Sequence, residues 1–188
     1  MLEIELKLKV DSLQPIAEKL KQLGAEFEGD FIQTDAYYDD SKDSLINSDR
    51  CLRIRKHKNH LGEAIELTYK GARENHRFKS RREIGLKVEK AEELANLFGE
   101  LGYKERLTFE KKRSLWEFAD CKVALDELPL LGKFMEIEGP SDDTIEQVQK
   151  QLGLANLKHI PQSYAHLMEE AIKKTGIKKK KITFDTKQ

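Results

Sequence analysis

Cysteine is scarce in this sequence. Cys51 and Cys121 are the only two, far apart and in no metal-ligand spacing, which excludes a disulfide scaffold or a thiolate metal centre. There is no surplus of either charge. Lysine and arginine number 34, aspartate and glutamate 34, a balance that argues against a dedicated nucleic-acid binder with its basic excess. No run approaches the roughly 20 apolar residues of a membrane span. Met1 leads directly into a charged alternating segment, not a signal peptide. The expectation is a cytoplasmic protein with free thiols and neither nucleic-acid nor membrane partners. The five histidines show no ligand spacing. Charge itself is plentiful, at 36% of 188 residues against about 25% in ordinary globular domains. The question is where one domain-sized chain puts it.

The dominant pattern is strict alternation. Leu2, Ile4, Leu6, Leu8 and Val10 fall on one face, with Glu3, Glu5, Lys7 and Lys9 on the other. Similar alternation predicts strands over residues 31–39, 51–55, 64–70, 78–88, 106–118, 122–128 and 133–139, about eight in all and enough to close a barrel. Helices are expected from a Ser12 cap to Gly24, over 91–102, from Ser141 to Gly153, and over 163–175. One domain is therefore placed at 1–175. The lysine-rich tail at 176–188 reads as frayed and solvated. Leu8-Lys9-Val10 recurs as Leu86-Lys87-Val88, and Leu23-Gly24 as Leu101-Gly102, both at an offset of 78 residues (86 − 8 and 101 − 23). Two repeats are too few for a solenoid and read as two halves of one barrel.

If the apolar strand faces lie beneath the helices, the charged faces converge on a common interior. Its lining would hold Lys7, Arg53, Arg55, Lys70, Lys79, Arg81, Lys111 and Arg113. It would also hold Glu3, Glu5, Glu66, Glu83, Asp126, Glu136 and Glu138. Enclosed charges must be paired, hydrated or ligand-bound. Guanidinium forks match phosphate oxygens, and clustered carboxylates suit a hard divalent cation that bridges to phosphate. Alternation alone leaves an open, solvated sheet as the alternative. Lys79, Arg81 and Glu83 are equally compatible with structural ion pairs, Glu66 reads as structural, and Tyr69, Trp116 and Phe118 as packing residues.

Glu3-Ile4-Glu5-Leu6-Lys7 resembles the E-x-E-x-K opening of the CYTH, or triphosphate tunnel metalloenzyme, superfamily. In order along the chain, Gln33–Asp39, Leu52-Arg53-Ile54-Arg55, Leu67-Thr68-Tyr69-Lys70, Ala124–Glu127, Gly132–Glu138 and Ser163-Tyr164 resemble its class IV adenylyl cyclase branch. The resemblance covers residues 1 to about 170. It implies an α+β fold, a closed eight-stranded antiparallel β-barrel with helices packed outside. It implies Mg²⁺ or Mn²⁺ on Glu3, Glu5, Glu136 and Glu138, with Asp126 assisting. Phosphates would be held by Lys7, Arg53, Arg55, Lys70, Lys111 and Arg113, with Lys79 and Arg81 nearby, and catalysis would be positioning and charge neutralisation by Lys7, Arg53, Arg55, Lys70 and Arg113. The substrate would be a triphosphate: ATP cyclised to cAMP and pyrophosphate, or inorganic or thiamine triphosphate hydrolysed. A non-catalytic polyphosphate or nucleotide-binding module is the remaining alternative. A homodimer is compatible with this class, though no sequence feature requires one. One departure stands out. Arg81-Arg82-Glu83-Ile84-Gly85 has Gly85 where the family pattern R-x-E-x-E has a second acid.

Overall fold

In a computed structural model that describes residues 2–74 and 77–186, the alternating segments form eight long strands. They are β1 (Leu2–Lys9), β2 (Glu26–Asp39), β3 (Cys51–Asn59), β4 (Gly62–Glu74), β5 (Lys79–Val88), β6 (Lys104–Phe118), β7 (Cys121–Leu128) and β8 (Gly132–Gly139). The strand order is β2-β3-β4-β5-β1-β8-β7-β6, and β6 pairs back onto β2 to close the barrel. All these pairings are antiparallel. Closure leaves no edge among the eight.

The apolar faces point outward, under helices. Helices α1 (Gln14–Gln22) and α4 (Asp142–Gln151) cover β1, β7 and β8, burying Leu6, Leu8, Val123 and Ile137 against Ile16, Leu20, Ile145 and Val148. Helix α3 (Ala91–Glu100) packs Phe98 against Tyr38 and Ile54. Helix α5 (Tyr164–Thr175) packs Tyr164 and Met168 on Leu107, Phe109, Leu128 and Phe134. Because the helices take the apolar faces, the alternate charged residues turn inward.

The internal repeat has a structural counterpart. Exchanging β1 with β5, β2 with β6, β3 with β7 and β4 with β8 returns the same ring. The registers obey the exchange as well. Glu3 faces Arg81 and Gln33 faces Lys111, each opposite its own counterpart 78 positions along the chain (81 − 3 and 111 − 33). A pseudo-two-fold axis therefore crosses the barrel between these pairs. Under it, Lys7 corresponds to Gly85.

Two local expectations are corrected and one element is added. Ser12 does not cap α1: the N-cap is Leu13, without a side-chain cap bond, and Pro15 in the first turn sets the start, since its fixed φ suits that turn and it lacks the N–H a cap would satisfy. A short helix, α2 (Ser44–Asn47), follows β2; its free N–H groups at Leu45 and Ile46 donate to the Asp39 carboxylate at 3.0 and 2.9 Å. The tail is not frayed throughout. Lys181–Ile182 forms β9, parallel to β6, with Ile182 fully buried and the Thr108 N–H donating to the Lys180 carbonyl at 2.8 Å. The helices expected to start at Ser141 and Ser163 do start there, each serine capping its helix: Ser141 accepts from the Thr144 N–H and Ser163 from the His166 N–H.

Candidate functional site

A continuous cavity of about 1240 Å³ runs through the barrel. Every predicted lining residue except Asp126 borders it. Asp126 is fully buried behind Arg113.

Strand register sets the acidic wall. Across β1 and β8, Glu5 lies opposite Glu138 and Lys7 opposite Glu136. Lys70 on β4 reaches Glu3 at 2.5 Å and Glu83 at 2.7 Å, while Lys79 bonds Glu5. Lys7 joins Glu136 at 3.0 Å and donates to the Gln162 carbonyl at 3.1 Å. Burial pushes the Glu3 carboxyl up to about 7, with Lys70 opposing and Glu5 and Glu83 adding to the rise. Burial also raises Glu138. It would raise Glu5 too, but Lys79 and Lys7 outweigh it and hold Glu5 at about 2.

The opposite wall is guanidinium-rich and braced from behind. Asp35 accepts two hydrogen bonds from Arg55, at 2.5 and 2.6 Å, and lies 3.8 Å from Arg53. Arg53 also donates to the Thr68 hydroxyl at 3.0 Å. Asp126 accepts two from Arg113, at 2.7 and 2.6 Å, and a third from the Tyr164 hydroxyl at 2.9 Å. Arg113 also reaches Glu136 at 2.5 Å. Such bidentate pairs fix the guanidinium planes. Arg81 is held at the mouth by Asp49, donating to its carboxylate at 2.6 Å and its carbonyl at 2.7 Å.

Lys111 differs from these. Its side chain is buried beside the Tyr164 ring, 5.3 Å from the centroid, and among the described residues no carboxylate lies within ion-pair distance of it. Burial, then Arg113 and Arg55, lower its ammonium to about 7. An anion entering the cavity is the partner this group lacks.

Sequence reasoning placed the basic set by strand parity and missed Asp35, Thr68 and the bracing role of Tyr164. Asp35 shares inward parity with Gln33, so its face was readable; its pairing with Arg55 depends on the β2–β3 register. The Tyr164 ring packs on the apolar side of its helix while its hydroxyl turns to Asp126.

The acids suit a hard divalent cation in kind: all are oxygen donors on neighbouring β1 and β8, two with raised carboxyls. Among the described residues, no three His, Cys, Asp or Glu side chains already converge in ligating geometry. Glu3, Glu5 and Glu136 are each occupied by lysine or arginine, so an ion would displace ammonium groups.

Comparison with known proteins places this geometry in context. The CYTH domain family profile matches residues 1–164. A Methanocaldococcus jannaschii protein provisionally named as an adenylate cyclase is 30% identical, over 89% of this chain and 98% of that one. A solved Pyrococcus horikoshii structure superposes with a TM-score of 0.78 at 30% identity, covering 89% of this chain and 98% of that chain. A Hippeastrum protein described as having a dominant triphosphatase activity shares the fold, with a TM-score of 0.67 at 16% identity over 90% of this chain and 95% of that one. Among the described residues no helix is long and apolar enough to cross a membrane.

Proposed function

Because the chain belongs to the CYTH domain family, we propose that it is a Mg²⁺- or Mn²⁺-dependent triphosphate-processing enzyme that converts ATP to cAMP and pyrophosphate. The observation carrying this reading is the enclosure, in one cavity, of a braced guanidinium wall with the unpartnered Lys111, facing a wall of glutamates. In this reading Arg53, Arg55, Arg113, Lys111, Lys7 and Lys70 hold the phosphate oxygens. Asp35 and Asp126 keep the guanidinium planes from turning as the ligand enters. Glu3, Glu5, Glu136 and Glu138 would hold the ion, which when bound neutralises charge on the phosphate oxygens. Asp126, with both oxygens engaged by Arg113 and Tyr164, acts on the ion only through Arg113. With the ion on Glu3 and Glu5, the Lys79 ammonium would be released to meet the substrate's phosphates, while Lys70 would keep its bond to Glu83. Cyclisation requires the ribose 3′-hydroxyl, giving up its proton, to attack the α-phosphorus in line as the bond to the leaving pyrophosphate breaks.

A second reading, hydrolysis of inorganic or thiamine triphosphate, is favoured by the triphosphatase activity described for the Hippeastrum protein. Product analysis separates them. The purified protein is offered ATP, inorganic triphosphate and thiamine triphosphate with Mg²⁺ or Mn²⁺, beside a Glu3→Gln, Glu5→Gln control. Cyclic AMP with pyrophosphate, lost in the control, establishes the cyclase. Orthophosphate without cyclic AMP establishes the hydrolase, and binding without turnover leaves a binding module.

A further inference from the structure

Gly85 borders the cavity where the sequence pattern leads one to expect an acid. A Cβ added there would meet Oε1 of Glu66 at 2.9 Å. The space beside Gly85 is thus already filled, by a carboxylate carried on β4 instead of β5. Its other oxygen lies 3.4 Å from Nε2 of His57, whose Nδ1 is 2.8 Å from the side-chain nitrogen of Gln33. With the Gln33 amide oriented as here, its N–H donates to Nδ1, and Nε2–H donates to Glu66.

That arrangement leaves two acceptors unused. Oε1 of Gln33 is buried without a partner, in a residue 3% exposed, which is costly unless something donates to it. Oε1 of Glu66 stands over Gly85, and Glu66 is held ionised by its bond to His57 and by Arg53 and Arg55, against its partial burial. Both residues adjoin the phosphate-binding wall, since Glu66 pairs with Arg55 across β3–β4 and Gln33 with Lys111 across β2–β6. Phe31, edge-on to the His57 ring at 6.4 Å, and Leu115 supply apolar surface along the same stretch.

We propose that Glu66 takes the place of a side chain at position 85 and, with Gln33, forms a subsite for the organic end of a triphosphate ester, recognising its N–H or O–H donors between Phe31 and Leu115. This rests on the triphosphate reading of the cavity and narrows it: inorganic triphosphate has no group to place there. A nucleoside and an aminopyrimidine both carry suitable donors, and the test separates them.

Affinities for a non-hydrolysable ATP analogue, thiamine triphosphate and inorganic triphosphate are measured by calorimetry with Mg²⁺, for the wild type and Glu66→Gln. The expected result is that affinity for one organic ligand, relative to inorganic triphosphate, falls about tenfold in the variant, the loss of one hydrogen bond to a charged acceptor. Whichever ligand loses affinity identifies the occupant. A second variant, Glu66→Ala with Gly85→Glu, returns the carboxylate from β5 and is expected to restore the ratio to within about threefold. Ratios unchanged for both organic ligands, or a swap that restores nothing, overturn the subsite while inorganic triphosphate binding keeps the cavity reading intact. A wild type that binds none of the three overturns both.

Discussion

Lys111 and Asp126 occupy opposite electrostatic situations within one wall. Lys111 is a buried cation awaiting an anion, with its ammonium at about 7, below the ordinary 10.5. The unfolded chain therefore binds the extra proton between pH 7 and 10.5, so this group lowers stability most below pH 7 and the penalty is relieved as pH rises through that window. Lys111→Met should raise stability at pH 6 by about 1–2 kcal/mol, while weakening triphosphate binding tenfold or more. Denaturant titration and calorimetry check the two halves. A bound polyphosphate raises the Lys111 pKa, so binding to the wild type at pH 8 should take up protons, seen as a heat that varies with the buffer and vanishes in the variant. Asp126 is the reverse case, an anion fully engaged by Arg113 and Tyr164. Asp126→Ala should cost about 3–5 kcal/mol by leaving Arg113 under-compensated, and Tyr164→Phe only about 1 kcal/mol. The Asp126→Ala loss should appear in metal-free buffer with chelator present; a loss confined to metal-loaded protein would make Asp126 a ligand instead.

At the scale of elements, the tail bears more weight than its composition suggests. Ile182 is fully buried with Leu107, Phe109 and Met168, so Ile182→Ala should destabilise by about 2–3 kcal/mol, measured by thermal or denaturant unfolding. The same element shows what sequence reading reaches. Period-two alternation named the eight barrel strands and the inward set Arg53, Arg55, Lys111 and Arg113, because parity is a property of one strand. It was blind to β9, whose two residues have no period and begin with the last of four consecutive lysines. It was blind to α2, whose N–H groups are met by Asp39 from the preceding strand. Pairings such as Arg55 with Asp35, and Glu66 in the space at Gly85, depend on register between strands, which no single strand encodes.

For the whole molecule, the pseudo-two-fold exchange sets both the site and the order of assembly. Counterpart strands pair with one another at β1–β5 and β2–β6, so neither half can close alone and the cavity exists only when both are present. Refolding should therefore be slow for this size, in the millisecond-to-second range expected of non-local sheets. Trp116, 3% exposed, is a suitable fluorescence probe in stopped-flow mixing. Recovery of its full signal within microseconds would contradict closure as a late step. The strand that waits longest is β1. It is synthesised first, yet its neighbours are β5 and β8, and β8 ends at Gly139. At about 5–20 residues per second, the nascent chain carries an unpartnered N-terminal strand for on the order of ten seconds. During that interval Glu3, Glu5 and Lys7 act as gatekeepers against intermolecular pairing, so charges destined for the cavity also protect the newborn chain on the ribosome.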